Sequence, residues 1–441
     1  MIVMKFGGTS VGDVDRIRQV VEIVRGRLDR RPLVVVSAQA GVTNQLIEMA
    51  RNAVLRDVAA GPLRKRLRGL LADVGLPADL LEHELDELAS LLKGISLVGD
   101  LTPRSLDRMM SFGERCSVRI VAGALTAAGI PAVPLASYDL GLLTDSTYGR
   151  AEVLPSTWDE IPRRVAEKVP EGVVAVVTGF IAQDADGFLT TLGRGGSDYS
   201  AAIFGAALGA EEIEIWTDVD GVMSADPRIV QQARTLDRMS FSEAAELAYY
   251  GAKVIHPATI HPAVRRNIPI RVLNTYRPDA AGTLVVPGAP HAPQGVRAIA
   301  SKSGITLVHV TSLRMLLQHG FMARLFQVFE HHRVVIDMIS TSEVSVSLTT
   351  ESSQPLNAVE TDLRAFAEVR VEPDKAILCL VGEGLRDVPD LMERVFATLR
   401  RESIPVRVVS VGASRVNISL LVDHEHEARA VRSLHGEMFG A

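Results

Sequence analysis

The chain has 441 residues, of which 47% are hydrophobic and 23% charged, so it carries apolar surface enough for two or three folded domains and not the charge-dominated composition of a disordered chain. A formal net charge of −6 leaves no diffuse basic field of the kind that non-specific nucleic-acid binding requires, and neither DNA nor RNA is expected as a partner. Cys116 and Cys379, the two cysteines, lie far apart; they suggest neither a disulfide framework nor a zinc site and fit a reducing cytoplasm.

The chain opens on a short apolar run, Met1 to Phe6, too brief for a signal h-region and better read as a first strand. From there to about Val285, β-branched runs alternate with longer amphipathic stretches, the pattern of an α/β domain with a mainly parallel sheet. Ile2 to Phe6, Leu33 to Ser37, Val173 to Val177, Ile213 to Trp216 and Ile270 to Val272 are apolar on both faces, as strands covered by helices on both sides must be. Between Leu55 and Leu106 charged, leucine-rich segments without strand signals predict a helical excursion. The longest apolar run, around Val173 to Ala182, is far below membrane-spanning length, and no membrane role is expected.

The Pro/Gly-rich stretch Val286 to Pro293 breaks regular structure and predicts a domain boundary. Beyond it, Arg324-Leu325-Phe326 followed by Val334 to Ile339 recurs as Arg394-Val395-Phe396 followed by Ile404 to Val409, an offset of 394 − 324 = 70 residues. Each copy reads as a small βαββαβ unit. Such units leave bare sheet edges that a neighbour or a second chain must cover, which suggests dimerisation.

Three segments carry phosphate-type chemistry. In Lys5-Phe6-Gly7-Gly8-Thr9-Ser10, at a strand-to-helix junction, the glycines let backbone approach a polyphosphate and Lys5 adds a positive charge; an ordinary tight turn is the other reading. It is not a Walker loop, since the lysine precedes the glycines. Thr191 to Asp198 combines three glycines with Arg194, Ser197 and Asp198 ahead of a predicted helix, Tyr199 to Leu208. Arg194 can grip a carboxylate in bidentate fashion, and Asp198 can hold Mg²⁺ or orient a lysine; a flexible hairpin tip is the alternative. Trp216 to Arg228 leaves a strand through an acid-rich loop, readable as a nucleotide loop or as an Asx-rich turn, but not as an EF-hand, for lack of the closing glutamate.

Taken with Val35 to Asn44, Ser111 to Arg115, Phe241 to Glu246 and Gly251 to Pro257, these segments closely resemble the aspartate kinases over almost the whole chain. That resemblance implies the amino-acid-kinase α/β fold over 1–287, a linker and incoming strand over 288–302, and two ferredoxin-like ACT domains over 303–373 and 374–441. It implies ATP and Mg²⁺ as cofactors, with the metal carried by the nucleotide and not by a side-chain cluster, and L-aspartate as substrate. It also implies the residue roles. Lys5 and Asp198 would be catalytic; Ser37, Thr43, Glu114, Arg194, Gly195, Gly196 and Ser197 would hold aspartate; Lys5, Gly7, Gly8, Thr217, Asp218, Met223, Arg228, Lys253 and Val254 would hold the nucleotide. Met223 stands where lysine-sensitive members often carry tyrosine. His256 reads as a satisfied histidine at a turn, and His331-His332 as a solvated helix end.

Met315, Gln318, Phe321, Met322, Val335, Asp337, Thr341 and Glu343 resemble the effector site of lysine-sensitive aspartate kinases. Two acids there can receive the two ammonium groups of lysine, whereas threonine, the alternative effector, offers one. Gln318 replaces a serine common in that branch, and edge acids that guard a strand against misassembly are the competing reading. A homodimer through the ACT domains is expected, with a dimer of dimers left open. A kinase of another small carboxylate and a catalytically silent amino-acid sensor are the alternative functions. With the repeat running almost to Ala441 and no further G-x-G-x-x-G unit, a fused homoserine dehydrogenase is not expected.

Overall fold

The computed structural model describes residues 1–250, 257–288, 295–316, 319–411 and 415–440. They form two compact units, one of Met1–Val222, Asp237–Phe241 and Val254–Ala289, the other of Met223–Leu236, Ser242–Lys253 and Pro290–Ala441.

The first unit is built on an eight-stranded sheet. Its strands in spatial order are Ala132–Leu135, Val174–Thr178, Pro32–Val36, Ile2–Phe6, Ile213–Thr217, Ile270–Asn274, Thr283–Val286 and Arg238–Ser240. The pairings among the first six are parallel, and Ile270–Asn274 meets Thr283–Val286 antiparallel. Every residue of Ile2–Phe6, Pro32–Val36 and Val174–Thr178 is buried, which is why these strands read as continuous apolar runs and not as alternation. The helical excursion is present as Gly61–Val74, Glu82–Val98 and the 25-residue Pro103–Ala127. Thr102 caps the last of these by accepting from the Ser105 N–H, with Pro103 in its first turn. A small sheet of Leu143–Thr144, Ile181–Asp184 and Leu189–Thr191 ends in a hairpin that feeds directly into helix Gly196–Leu208. The chain turns outward in both directions from Ile2–Phe6, so the crevice of this sheet opens at the carboxyl ends of the central strands.

The second unit corrects the expected boundaries in two ways. Its two βαββαβ modules are interleaved and not consecutive. The long strands Ala298–Thr311 and Glu368–Val381 run antiparallel through both, with a register break between Lys302 and Ile305. Beyond the break, Ile305–Thr311 pairs with Ser345–Glu351 in the first module; before it, Ala298–Lys302 joins the second, where Lys375–Val381 pairs with Asn417–Asp423. The incoming strand expected within 288–302 is present as Ala298–Lys302, but it joins the second module and not the first, because a four-stranded sheet needs that partner to cover its edge. The repeated Arg-φ-Phe triplets lie in helices Phe321–His331 and Leu391–Arg401. The other correction concerns 1–287: Ala225 and Val230 are buried in one core with Leu378, Leu380 and Leu434, so Met223–Leu236 folds with the C-terminal unit. Ser224 fastens it, accepting at its carbonyl from the Ile299 N–H and contacting His435 Nε2 through Oγ at 2.9 Å.

Candidate active site

At the carboxyl end of the first strand, Lys5 and Phe6 pair with Val35 and Val36 on one side and Ile215 and Trp216 on the other. The chain then turns through Gly7 and Gly8. A Cβ on Gly8 would lie 2.5 Å from the Ala38 carbonyl oxygen, so only glycine lets these two strand ends come together. Lys5 is buried to 9% exposure, and its ammonium sits 2.6 Å from Asp198 Oδ1. Asp198 is in the first turn of helix Gly196–Leu208, whose N-cap Gly195 has φ +73°. That turn points free backbone N–H groups and the positive end of the helix dipole outward.

Beside this ion pair lies a cavity of about 310 Å³. Lys5, Ser37, Thr43, Glu114, Arg194, Gly195, Gly196, Ser197 and Asp198, nine residues named from sequence, all line it, together with Ala38, Phe180 and Gly193. Glu114 reaches it from helix Pro103–Ala127 and is 3% exposed. Its Oε1 accepts the Ala38 N–H at 3.1 Å, while Oε2 is buried without a hydrogen-bond partner. Burial pushes the Glu114 carboxyl up to about 8, against the opposing pull of the Ala38 hydrogen bond. Arg194 is exposed at the rim, and no carboxylate among the described residues pairs with it. One cavity thus holds a lysine, an unpaired guanidinium and a carboxyl group with a vacant oxygen, which can receive a small molecule bearing both carboxylate and ammonium.

Asp107, on the same helix as Glu114, is 1% exposed. It accepts from the Gly149 and Thr191 N–H groups, each at 2.9 Å, and from Thr191 Oγ1 at 3.0 Å. It ties the helix that carries Glu114 to the strand that delivers Arg194.

The chain matches the amino acid kinase family over residues 1–274 and the ACT domain over residues 378–438. It is 36% identical over 455 residues to Aspartokinase 3, chloroplastic, of Arabidopsis thaliana, covering 99% of this chain and 81% of that protein. Lysine-sensitive aspartokinase 3 of Escherichia coli is 35% identical over 457 residues, covering 100% and 99%. The chain belongs to the aspartokinases, within the amino acid kinase family.

Among solved aspartokinases, E. coli aspartokinase III in complex with aspartate and ADP superposes with TM-score 0.83 at 33% identity, and its complex with lysine and aspartate with TM-score 0.79, also at 33% identity; each comparison covers 99% or more of both chains. The other sites inferred from aspartokinase resemblance are placed less completely. Thr217 ends strand Ile213–Thr217, and its Oγ1 donates to Asp218 Oδ1 at 3.2 Å. Met223 and Arg228 fall in the second unit, where Thr235 contacts the Met223 sulfur at 3.4 Å and Arg228 pairs with Asp226 at 2.6 Å. Lys253, Val254 and His256, like Gln318, lie outside the described residues.

Of the expected effector residues, Phe321 packs in the core of the first βαββαβ module, with Met315 and Met322 against that core. Thr341 and Glu343 are exposed, and Val335 is 60% exposed. Asp337 is half-buried as a residue, with its side chain nearly inaccessible and already paired within the chain. His331 is exposed at its helix end, but His332 is half-buried and contacts Asp362 at 2.8 Å.

Sequence reasoning missed Phe180, which lines the cavity with φ +64°. Its backbone is held there by the Ser200 hydroxyl, which bonds the Phe180 N–H at 3.0 Å, and by the Leu192 N–H, which donates to the Phe180 carbonyl. A signal existed: Gly179-Phe180 directly follows a parallel strand, where such sheets place ligands.

Proposed function

We propose that this aspartokinase transfers the γ-phosphoryl group of ATP to the β-carboxylate of L-aspartate, giving 4-phospho-L-aspartate, the entry to the aspartate-derived amino acids. The observation that carries the reading is the Glu114 carboxylate, buried with Oε2 unpartnered in the same cavity as Arg194 and Lys5. Glu114, protonated in the free protein up to about pH 8, gives up its proton as it takes the substrate's α-ammonium, and Arg194 takes the α-carboxylate, which leaves the β-carboxylate facing Lys5. No general base is required, because the nucleophile is already an anion at neutral pH. This chain's residues position the two reactants in line and neutralise developing charge: Lys5 lies against the transferring group, Asp198 holds the Lys5 ammonium in place, and the Gly7-Gly8 turn and the N-terminus of helix Gly196–Leu208 offer N–H groups to phosphate oxygens.

Mg²⁺ would arrive on the nucleotide's own oxygens, and Asp198, which lines the cavity, would be the carboxylate to meet it. It would supply further charge neutralisation at the phosphates.

Regulation by lysine is part of the proposal. The similarity to a lysine-sensitive enzyme over the whole chain supports it, as do the Asp337 and Glu351 carboxylates, which both reach one ammonium group, that of Lys302. Pairing of two chains through the regulatory modules is supported by the exposed edge strand Ile339–Thr341. Among the described residues no helix is long and apolar enough to cross a membrane, and both cysteines are buried free thiols, consistent with action in a reducing compartment such as the cytoplasm.

The test is ATP turnover by the purified protein with Mg²⁺ and L-aspartate, trapping the acyl phosphate with hydroxylamine. Aspartate-dependent hydroxamate is expected. Hydroxamate from another small carboxylate but none from aspartate would overturn the substrate, and ATP-independent binding alone would favour a silent sensor.

A further inference from the structure

Asp337 lies in the first regulatory module, and its side chain is 2% exposed. Its Oδ1 accepts from the Tyr249 hydroxyl at 2.5 Å and from the Lys302 ammonium at 2.9 Å. Its Oδ2 is buried with no hydrogen-bond partner. Lys302 also reaches Glu351 at 3.1 Å and lies over the Tyr249 ring, 4.7 Å from its centre. An ammonium ion is therefore held by two carboxylates and an aromatic face, the recognition set for an alkylammonium ligand. Here the cation comes from the chain itself.

The second module shows what a permanently filled version looks like. Arg407 stands seventy residues after Asp337, the repeat offset, and its backbone is placed the same way: the Asp337 N–H donates to the Thr349 carbonyl, the Arg407 N–H to that of Leu421. Two residues beyond these acceptors lie Glu351 and Asp423. Lys375, on the other side of the break between modules, pairs with Asp423 at 2.9 Å, as Lys302 does with Glu351. The guanidinium of Arg407 closes the set by bonding Asp423 at 2.7 Å. Where the second module has this fixed cation, the first has a buried acid with an unused oxygen.

We propose that Lys302 is a tethered occupant of an ammonium site in the first module, displaced by an amino-acid effector that carries a second ammonium group, and that it sets the effector concentration needed. The second module, with Arg407 in place of the acid, takes no such ligand. This rests on the proposed lysine regulation. The Lys302 side chain is 19% exposed and Glu351 50%, so the tether can leave toward solvent. Gly304, with φ +71°, bends the backbone two residues on. A tethered competitor lowers apparent affinity by the fraction of time it occupies the site. Exchange also changes the partner of Tyr249, the last residue of helix Phe241–Tyr249, just before Gly251-Ala252-Lys253.

The experiment titrates L-lysine against hydroxamate formation by the full chain, for wild type, Lys302→Met and Lys302→Arg, each scaled to its own uninhibited rate. The half-inhibitory lysine concentration is expected to fall at least tenfold in K302M and to stay within threefold in K302R. With Lys302→Ala, n-butylammonium is expected to compete with lysine and raise the midpoint, and also to raise Tm, a response that mere loss of packing does not give. Lysine inhibition of wild type with an unchanged or raised midpoint in K302M, or no competition by n-butylammonium in K302A, overturns the tethered occupant while lysine regulation stands. No response of wild type to lysine overturns the regulatory reading and this proposal together.

Discussion

The Lys5 ammonium and the Asp198 carboxylate meet at 2.6 Å across 193 positions of chain, joining the end of the first strand to the first turn of helix Gly196–Leu208. Both side chains are largely buried, at 11% and 17% exposure. Removing one partner strands the other in a poorly solvated site. Lys5→Ala is therefore expected to lower kcat at least ~10³-fold and, in a chain that still folds, to reduce stability by about 3 kcal/mol. Adding Asp198→Ala should return most of the stability and none of the activity. Urea unfolding of the two variants, set beside turnover, separates electrostatic burial from catalysis; near-normal turnover in Lys5→Ala overturns the assigned role.

Glu114 gives a pH dependence with a definite sign. Its carboxyl, at about 8 in the folded chain against an ordinary 4.5, is protonated when folded and ionised when unfolded between those values. The folded state binds more protons there, so stability falls as pH rises through the window, by up to about 1.4 kcal/mol per pH unit. Glu114→Gln should flatten this slope and stabilise the free protein near pH 8. It should also cut kcat/KM for aspartate by roughly 10–100-fold, the worth of a charged hydrogen bond. Thermal melts from pH 5 to 9, with aspartate kinetics, check both halves.

The two glycines after Lys5 should answer differently to alanine. In Gly8→Ala the new Cβ would meet the Ala38 carbonyl oxygen at 2.5 Å, so a loss of about 1–3 kcal/mol in stability is expected. In Gly7→Ala its nearest neighbour is the Lys5 ammonium at 3.5 Å, an ordinary contact. Tm should hold while activity drops, because the methyl group crowds the approach to Lys5. Equal Tm losses in both variants would contradict this division.

His435 predicts the opposite pH trend for the second unit. Burial, then the charge of Arg234, lowers its pKa below the ordinary 6.5. The imidazole stays neutral when folded and charges when unfolded, so the stability it contributes is present above 6.5 and lost as pH falls below it. His435→Gln should remove that acid sensitivity, read as hydrogen-exchange protection of Ile299, whose N–H bonds Ser224, at pH 5.5 and 7.5.

Much of the site was legible because it is local. Lys5-Phe6-Gly7-Gly8 and Arg194 to Asp198 each sit at a strand or hairpin end leading into a helix, and apolar runs announce buried parallel strands without knowledge of their neighbours. The place of Phe180 after a parallel strand was legible but its positive φ was not, since that is imposed by Ser200 and Leu192, which reach it from elsewhere in the fold. The interleaving of the two βαββαβ modules was hidden for a related reason. A seventy-residue repeat reports that two similar units exist, while the register break at Lys302 decides which sheet each half-strand joins.

By itself the amino-acid order determined the strands, the helical excursion, the repeat and the residue types available for phosphate and carboxylate chemistry, because these follow from periodicity and short-range backbone preference. Only the tertiary structure decided that Glu114 would be buried with an unused oxygen, that Met223–Leu236 would pack with the C-terminal unit, and that Lys302 would occupy Asp337. Charge state and pairing depend on desolvation and on partners distant in the chain, and neither exists until the chain has folded.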